Sequence, residues 1–192
     1  MSITSKGFLL WGLKHFLRML LLLNLGYSLM AGAKIYWSDW GSNKIQSSNM
    51  DGTGVTDLVT GLGSAKGDVA LDLQNNKVYW IDRGTGLLQK ANLDGSGVET
   101  IASGIGSGGR GLDIDVANGH VYFGDYTNNN IKRANLDGSN VVTILSGLGG
   151  NRGHALDLIN GKIYWTEDSS NKVRRANLDG SVIEDLITTG LS

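Results

Sequence analysis

The sequence predicts an all-β chain built as a β-propeller of four-stranded blades, and three observations predict it. A tyrosine recurs as Tyr36, Tyr79, Tyr122 and Tyr164, and an Asp-Gly pair as Asp51-Gly52, Asp94-Gly95, Asp137-Gly138 and Asp179-Gly180, so both markers step by 43, 43 and 42 residues. Two markers keeping one period define a repeat array, and a period of about 40 to 45 residues suits one propeller blade. Paired-helix repeats of that length would need long apolar stripes at a 3.6-residue period, which the sequence lacks. The composition agrees: 29 Gly, no Pro, 41% apolar and 18% charged residues suit many short strands joined by tight turns and argue against disorder.

Residues 1–33 differ in character from the rest. Lys6, Lys14, His15 and Arg18 form a basic lead, Met19 to Leu25 is almost wholly aliphatic, and Ala31-Gly32-Ala33 offers the small residues a signal peptidase requires. Three readings of the segment stay open. It is a signal peptide that leaves Lys34 as the mature start, an uncleaved membrane anchor burdened by Lys14, His15 and Arg18, or a misjudged gene start that has replaced an earlier blade.

From Lys34 the units run 34–76, 77–119, 120–161 and 162–192. Across the boundary of the second and third units, Leu112 to Val116 and His120 to Asp125 are joined by Ala117-Asn118-Gly119, a strong hairpin signal because Asn-Gly favours positive φ. The chain continues as Ile131 to Leu136, turns at Asp137-Gly138-Ser139 and finishes as Val141 to Leu145, all rich in strand-forming residues. Gly-rich stretches from Gly61 to Gly67, Gly104 to Gly111 and Gly147 to Gly153 are expected to cross from the outer edge of one blade to the inner strand of the next. Lys34 begins on a second strand and Ser192 follows a fourth, so about four blades are expected, three complete and the first lacking its inner strand. Such an arc has two apolar end faces, which implies a fragment of a longer propeller or a chain that self-associates or gains blades to close the ring.

The motif strands carry a resemblance. Tyr36-Trp37-Ser38-Asp39, Tyr79-Trp80-Ile81-Asp82, Tyr122-Phe123-Gly124-Asp125 and Tyr164-Trp165-Thr166-Glu167 resemble the Tyr-Trp-Thr-Asp (YWTD) motif of low-density lipoprotein receptor class B repeats. Leu71-Asp72 and Leu156-Asp157 resemble the family's Leu-Asp before the motif, and Arg133-Ala134-Asn135-Leu136-Asp137-Gly138-Ser139 its Arg-Ala-x-Leu-Asp-Gly-Ser after it. The resemblance covers Lys34 to Ser192 and implies a six-bladed norm, an extracellular or membrane-associated setting, binding of lipoprotein, matrix or secreted signalling proteins, and no catalysis. Ala65, Gly109 and Asn151 stand near the positions of the family's loop Pro, Glu167 replaces the motif Asp, and no Cys-rich module accompanies the repeats.

Charge and chemistry narrow the function further. A formal net charge of -1 gives no electrostatic basis for nucleic acid, and the absence of Cys excludes disulfides and thiolate chemistry. Adjacent Tyr and Trp on a strand point to opposite faces, so Tyr36, Trp37, Tyr79, Trp80, Tyr122, Phe123, Tyr164 and Trp165 read as packing residues. Asp39, Asp82, Asp125 and Glu167 at the strand ends are expected to accept loop N–H groups. Asn92-Leu93-Asp94-Gly95-Ser96 superficially resembles a calcium loop, but its register would put Lys90 and Ile101 at ligand positions, so an Asp-Gly turn is expected and no metal or cofactor. His120 and His154 belong to no catalytic motif. The alternative is a lactonase-type propeller enzyme with a cation held in the channel by inner-strand acids among Asp68, Asp72, Asp113, Asp115 and Asp157.

One rim stands out as a candidate site for an extracellular protein or peptide. Loops between second and third strands share a rim with the loops leading into the inner strands, so Trp40, Arg83, Tyr126 and Asp168 are expected beside Lys66, Arg110 and Arg152. Basic residues precede Gly at all three of the latter positions, with aromatics interspersed as interface anchors.

Overall fold

The computed structural model describes residues 19–20, 32–65, 67–105, 110–125 and 127–190, of which 19, 20, 151 and 152 are described by their backbone alone. The first sheet holds β1 (Met19–Leu20), β2 (Lys34–Asp39), β3 (Lys44–Asn49) and β4 (Thr56–Val59). The second holds β5 (Val69–Asp72), β6 (Lys77–Asp82), β7 (Leu87–Asn92) and β8 (Glu99–Ala102). The third holds β9 (Arg110–Asp115), β10 (His120–Asp125), β11 (Asn130–Asn135) and β12 (Val142–Leu145), and the fourth β13 (Asn151–Asp157), β14 (Lys162–Glu167), β15 (Lys172–Asn177) and β16 (Glu184–Ile187). Each sheet is an antiparallel meander in sequence order, the blade plan of a propeller. No helix among the described residues is long and apolar enough to cross a membrane.

The expectation of a first blade without an inner strand is corrected at this point. Met19–Leu20 pairs antiparallel with Tyr36 and Trp37 and takes the inner place of the first sheet. The free edge of β2 carries unpaired backbone groups, and the aliphatic run that begins at Met19 supplies a strand for them. The remainder of the segment read as a signal or anchor, 1–18 and 21–31, lies outside the described residues.

Local turn chemistry explains why the meanders form. Asp72, Asp115 and Asp157, at the ends of inner strands, each accept the backbone N–H and side-chain amide of the Asn three residues later, Asn75, Asn118 and Asn160. In the outer hairpins the Gly95 N–H donates to the Asn92 carbonyl at 2.9 Å, and Asp94 accepts the Ser96 N–H and hydroxyl at 2.9 and 2.6 Å. Gly95 there has φ 86°, a left-handed value that glycine adopts without strain. The Ala117-Asn118-Gly119 turn differs from its expected form in that Gly119 alone has positive φ, because Asn118 is engaged by Asp115 instead. Every third-to-fourth strand pair carries a bulge at the same place, after Ile45, Leu88, Ile131 and Val173.

The sheets pack face to face in chain order, with β2 against β5, β5 against β9 and β9 against β13. Three separate cores fill the gaps. Tyr36, Ile45 and Val59 of the first sheet meet Val69, Val78, Trp80 and Ala91 of the second. Tyr79, Ile81 and Leu88 then meet Leu112, Val121, Phe123 and Ala134. Tyr122, Ile131 and Leu145 meet Ile163, Trp165 and Ala176. The motif Tyr thus serves the gap ahead of its sheet and the motif Trp or Phe the gap behind it, as strand alternation requires.

Candidate functional site

The motif acids fix the rim. Asp82 at the end of β6 accepts the N–H groups of Gly63 and Ser64, in the loop leading into β5, at 2.9 and 2.8 Å, and that of Gly84 at 3.0 Å. Burial works against its charge, yet these amides and the Thr85 hydroxyl outweigh it and hold the carboxyl below its ordinary range. Asp39 takes the Gly41 N–H and Ser42 hydroxyl, while Asp125 takes both donors of Asn128 and an ion pair from Lys132 at 3.0 Å. Glu167 accepts the Trp165 indole N–H at 2.9 Å, the Ser170 hydroxyl at 2.6 Å and Arg174 at 3.2 Å.

Each lead-in loop is stitched to the turn before it, and the first and third also to the turn that follows. Leu62, Ile105 and Leu148 donate their N–H groups to the carbonyls of Asn43, Gly86 and Asn129 in the preceding sheet. On the other side the Arg83 N–H donates to Ser64 at 3.0 Å, and the Asp168 and Ser169 N–H groups donate to Gly150 and Gly149 at 3.2 and 2.8 Å. At the first and third junctions the turn after the motif strand and the loop into the inner strand are therefore hydrogen-bonded to each other. Ala65, near the family's Pro position, uses its N–H on the Asn43 side chain at 3.3 Å, a bond that Pro would abolish. Asn151 instead begins β13 opposite Glu167.

The seven rim candidates fare differently. Trp40, in the turn after β2, is 47% exposed. Arg83, in the turn after β6, is half-buried, and burial followed by the charge of Arg110 lowers its pKa. Arg110 opens β9 opposite Gly124. Asp168 follows β14, against Gly150. Arg152 has its backbone in β13 but its side chain outside the described residues, where Lys66 and Tyr126 also lie.

The Gly of two of the basic-Gly pairs has a packing reason. A Cβ on Gly67 would come within 3.0 Å of the Ile81 carbonyl oxygen, and one on Gly111, at φ 72°, would run into the His154 imidazole. His154 is thereby placed beside the inner strand of the third sheet, a position its sequence context did not reveal.

The inner-strand acids do not act as one group. Asp72, Asp115 and Asp157, three of the five proposed acids, cap their turns instead. Asp113 accepts the Leu156 N–H at 3.1 Å across the gap between third and fourth sheets. Burial pushes its carboxyl up to about 6, the Leu156 N–H opposing and Asp68 adding to the shift. Among the described residues no three His, Cys, Asp or Glu side chains are placed to share a metal ion.

Known proteins resemble the chain at the level these features suggest. Residues 33–73 match the model of the low-density lipoprotein receptor repeat class B. No curated protein matches the chain in sequence. Among solved structures the chain is similar to one in a nidogen/laminin complex, with 24% identity and a TM-score of 0.75 over 82% of this chain and 61% of that one. It is similar also to a TolB of Agrobacterium tumefaciens, with 18% identity and a TM-score of 0.68 over 81% of this chain and 61% of that one. Virginiamycin B lyase from Staphylococcus aureus follows at 17% identity and a TM-score of 0.63 over 90% and 60%. At these identities the likeness is one of fold, and the chain spans about three fifths of each neighbour's length. Residues 33–73 thus match the low-density lipoprotein receptor class B, or YWTD, repeat, and the four sheets follow the blade plan of a β-propeller.

Proposed function

We propose that the chain is a non-catalytic binding module that takes an extracellular protein or peptide on the rim bearing Trp40, Arg83, Arg110 and Asp168. The observation that carries this reading is the hydrogen bonding of turns after the motif strands to loops into the inner strands, Arg83 N–H to Ser64 at 3.0 Å and Asp168 N–H to Gly150 at 3.2 Å, which supports a shared surface for these turns and loops. An acidic group of a partner complements the positive charges that Arg83 and Arg110 bring to it. Packing accounts for Gly67 and Gly111 but asks for no positive charge at the residues before them. Trp40 supplies an exposed aromatic of the kind that anchors interfaces. Support comes also from the YWTD repeat itself and from the neighbour described with laminin, a protein partner. The lyase neighbour is an enzyme, but three of the five acids that a channel-bound cation would need are engaged in turn caps, which favours binding over catalysis.

The partner class is an extracellular protein with acidic and apolar groups, of the lipoprotein, matrix or secreted-signal kind. The test is capture from extracellular fluid by the wild type and by an Arg83→Glu/Arg110→Glu variant of unchanged circular dichroism. Partners lost by the variant alone support the rim, and partners kept equally by both place binding elsewhere.

A further inference from the structure

Six bonds of this chain join Asp or Asn to Gly: Asp51-Gly52, Asp94-Gly95, Asn118-Gly119, Asp137-Gly138, Asn160-Gly161 and Asp179-Gly180. Such a bond has a chemistry of its own, because a glycine nitrogen has no Cβ beside it and can attack the side-chain carbonyl carbon of the residue before. In five of the six the structure restrains the glycine N–H. Gly52, Gly95, Gly138 and Gly180 donate to the carbonyls of Asn49, Asn92, Asn135 and Asn177 at 2.8 to 3.0 Å, and Gly119 donates to Val116 at 3.2 Å. The Gly161 N–H has no such acceptor among the described residues. The four Asp-Gly pairs are restrained a second time. The Thr or Ser two residues on holds each carboxyl below its ordinary range, and an ionised carboxylate resists attack.

The two Asn-Gly turns are an internal comparison. Asn118 and Asn160 occupy the same place, between the inner and motif strands of the third and fourth sheets, and both are exposed. Both are pinned alike: the N–H and side-chain amide of Asn118 donate to Asp115 at 3.1 and 2.6 Å, and those of Asn160 donate to Asp157 at 3.0 and 2.7 Å. The glycines share a left-handed φ, 70° at Gly119 and 64° at Gly161. What separates the two turns is the hydrogen bond on the glycine nitrogen, present at Gly119 and missing at Gly161. The fourth-sheet turn also stands far out in solvent, with Ile159 next to Asn160 97% exposed.

We propose that Asn160 is a site of spontaneous covalent modification, deamidation through a cyclic imide, from which the fold protects Asn118. The Gly161 nitrogen gives up its proton and bonds to Asn160 Cγ, while the Cγ–Nδ2 bond breaks and Nδ2 leaves as ammonia with that proton. Water then opens the imide at one of its two C–N bonds. Attack at Cγ leaves aspartate, and attack at the main-chain carbonyl leaves isoaspartate, whose backbone runs through the former side chain. Either product sets a carboxylate against Asp157 where an amide now donates, so conversion removes the cap of this turn. The test ages the whole chain at mildly alkaline pH, folded and in urea, and follows both asparagines by peptide mapping in a mass spectrometer. In the folded chain Asn160 is expected to convert about fivefold faster than Asn118, the ratio that one hydrogen bond contributes, with isoaspartate among its products. In urea the two should convert at similar rates. Folded rates that are equal or favour Asn118 overturn the proposal, as does the same ratio in urea, which would make it a property of sequence alone. Aspartate at position 160 without isoaspartate overturns the imide route. The converted chain, separated by its extra negative charge, should unfold at lower urea than the unconverted one; identical unfolding would overturn the loss of the cap.

Discussion

Tyr79 and Trp80 are neighbours in sequence and never meet in the same core: Tyr79 packs between the second and third sheets and Trp80 between the first and second. Both are buried. Truncations at the two positions are therefore expected to add, although they are adjacent. Tyr79→Leu and Trp80→Leu should each cost about 2 kcal/mol, with a coupling below about 0.5 kcal/mol in a denaturant double-mutant cycle. Tyr79→Leu with Phe123→Leu, 44 positions apart but in one core, should couple by about 0.5 kcal/mol or more. Strong coupling within the Tyr79/Trp80 pair would contradict the separation of the cores.

Much of this architecture was legible because the repeat writes one local rule four times. Alternation placed Tyr and Trp on opposite faces, and Asp-Gly marked each outer hairpin, so the blade plan followed from the period. The fate of the inner-strand acids was hidden because Asp72, Asp115 and Asp157 read equally well as channel ligands or turn caps. The Asn three residues beyond each was the unused signal for the second reading. Met19–Leu20 escaped notice for a different reason. An aliphatic run after basic residues matches an export signal as well as a strand, and the pairing with β2 depends on a distant edge that no local pattern names.

Val182 departs from its own repeat. Gly54, Gly97 and Asn140 occupy the equivalent position after the Asp-Gly turn, and all four have φ between 53° and 64°. Glycine and asparagine tolerate that region, whereas a β-branched residue is strained in it by about 1 to 3 kcal/mol. The Val182 side chain is 62% exposed, so little packing compensates. Val182→Asn should raise stability by about 1 kcal/mol and Tm by about 2 to 4 °C. An unchanged or lower Tm in calorimetry would show that the strain is relieved some other way.

Asp113 makes stability depend on pH. Its folded pKa, near 6, lies above the ordinary value of 3.8, so the folded chain holds a proton that the unfolded chain releases. The resulting contribution is fully present below about pH 4 and is lost as pH rises through about 6. Asp113→Asn keeps an acceptor for the Leu156 N–H and removes the titration. Its gain over wild type in urea unfolding should be near zero at about pH 4 and on the order of 3 kcal/mol at about pH 7.5. A gain independent of pH would mean that burial of the charge is not its source.

Glu167 stands where the other three motifs have Asp, and restoring Asp there is expected to harm the protein. The longer side chain reaches back to the buried Trp165 indole N–H, which donates to it at 2.9 Å. The other sheets meet the same requirement differently. Trp37 donates to Gln46 at 3.1 Å, Phe123 has no N–H to satisfy, and Trp80, two residues before Asp82, has a buried N–H with no partner among the described residues. Glu167→Asp would reproduce the Trp80 situation in the fourth sheet, at a cost of about 1 to 3 kcal/mol for an orphaned buried donor. Arg174 would still be held by Asp185 at 2.6 Å, so the loss is specific to the indole. The double variant Glu167→Asp/Trp165→Phe copies the Phe123/Asp125 pair of the third sheet. Measured against Trp165→Phe alone, Glu167→Asp should then cost less than about 0.5 kcal/mol, the unmet N–H being gone. Equal costs of Glu167→Asp in the two backgrounds would show that the Ser170 and Arg174 contacts, rather than the indole bond, account for the glutamate.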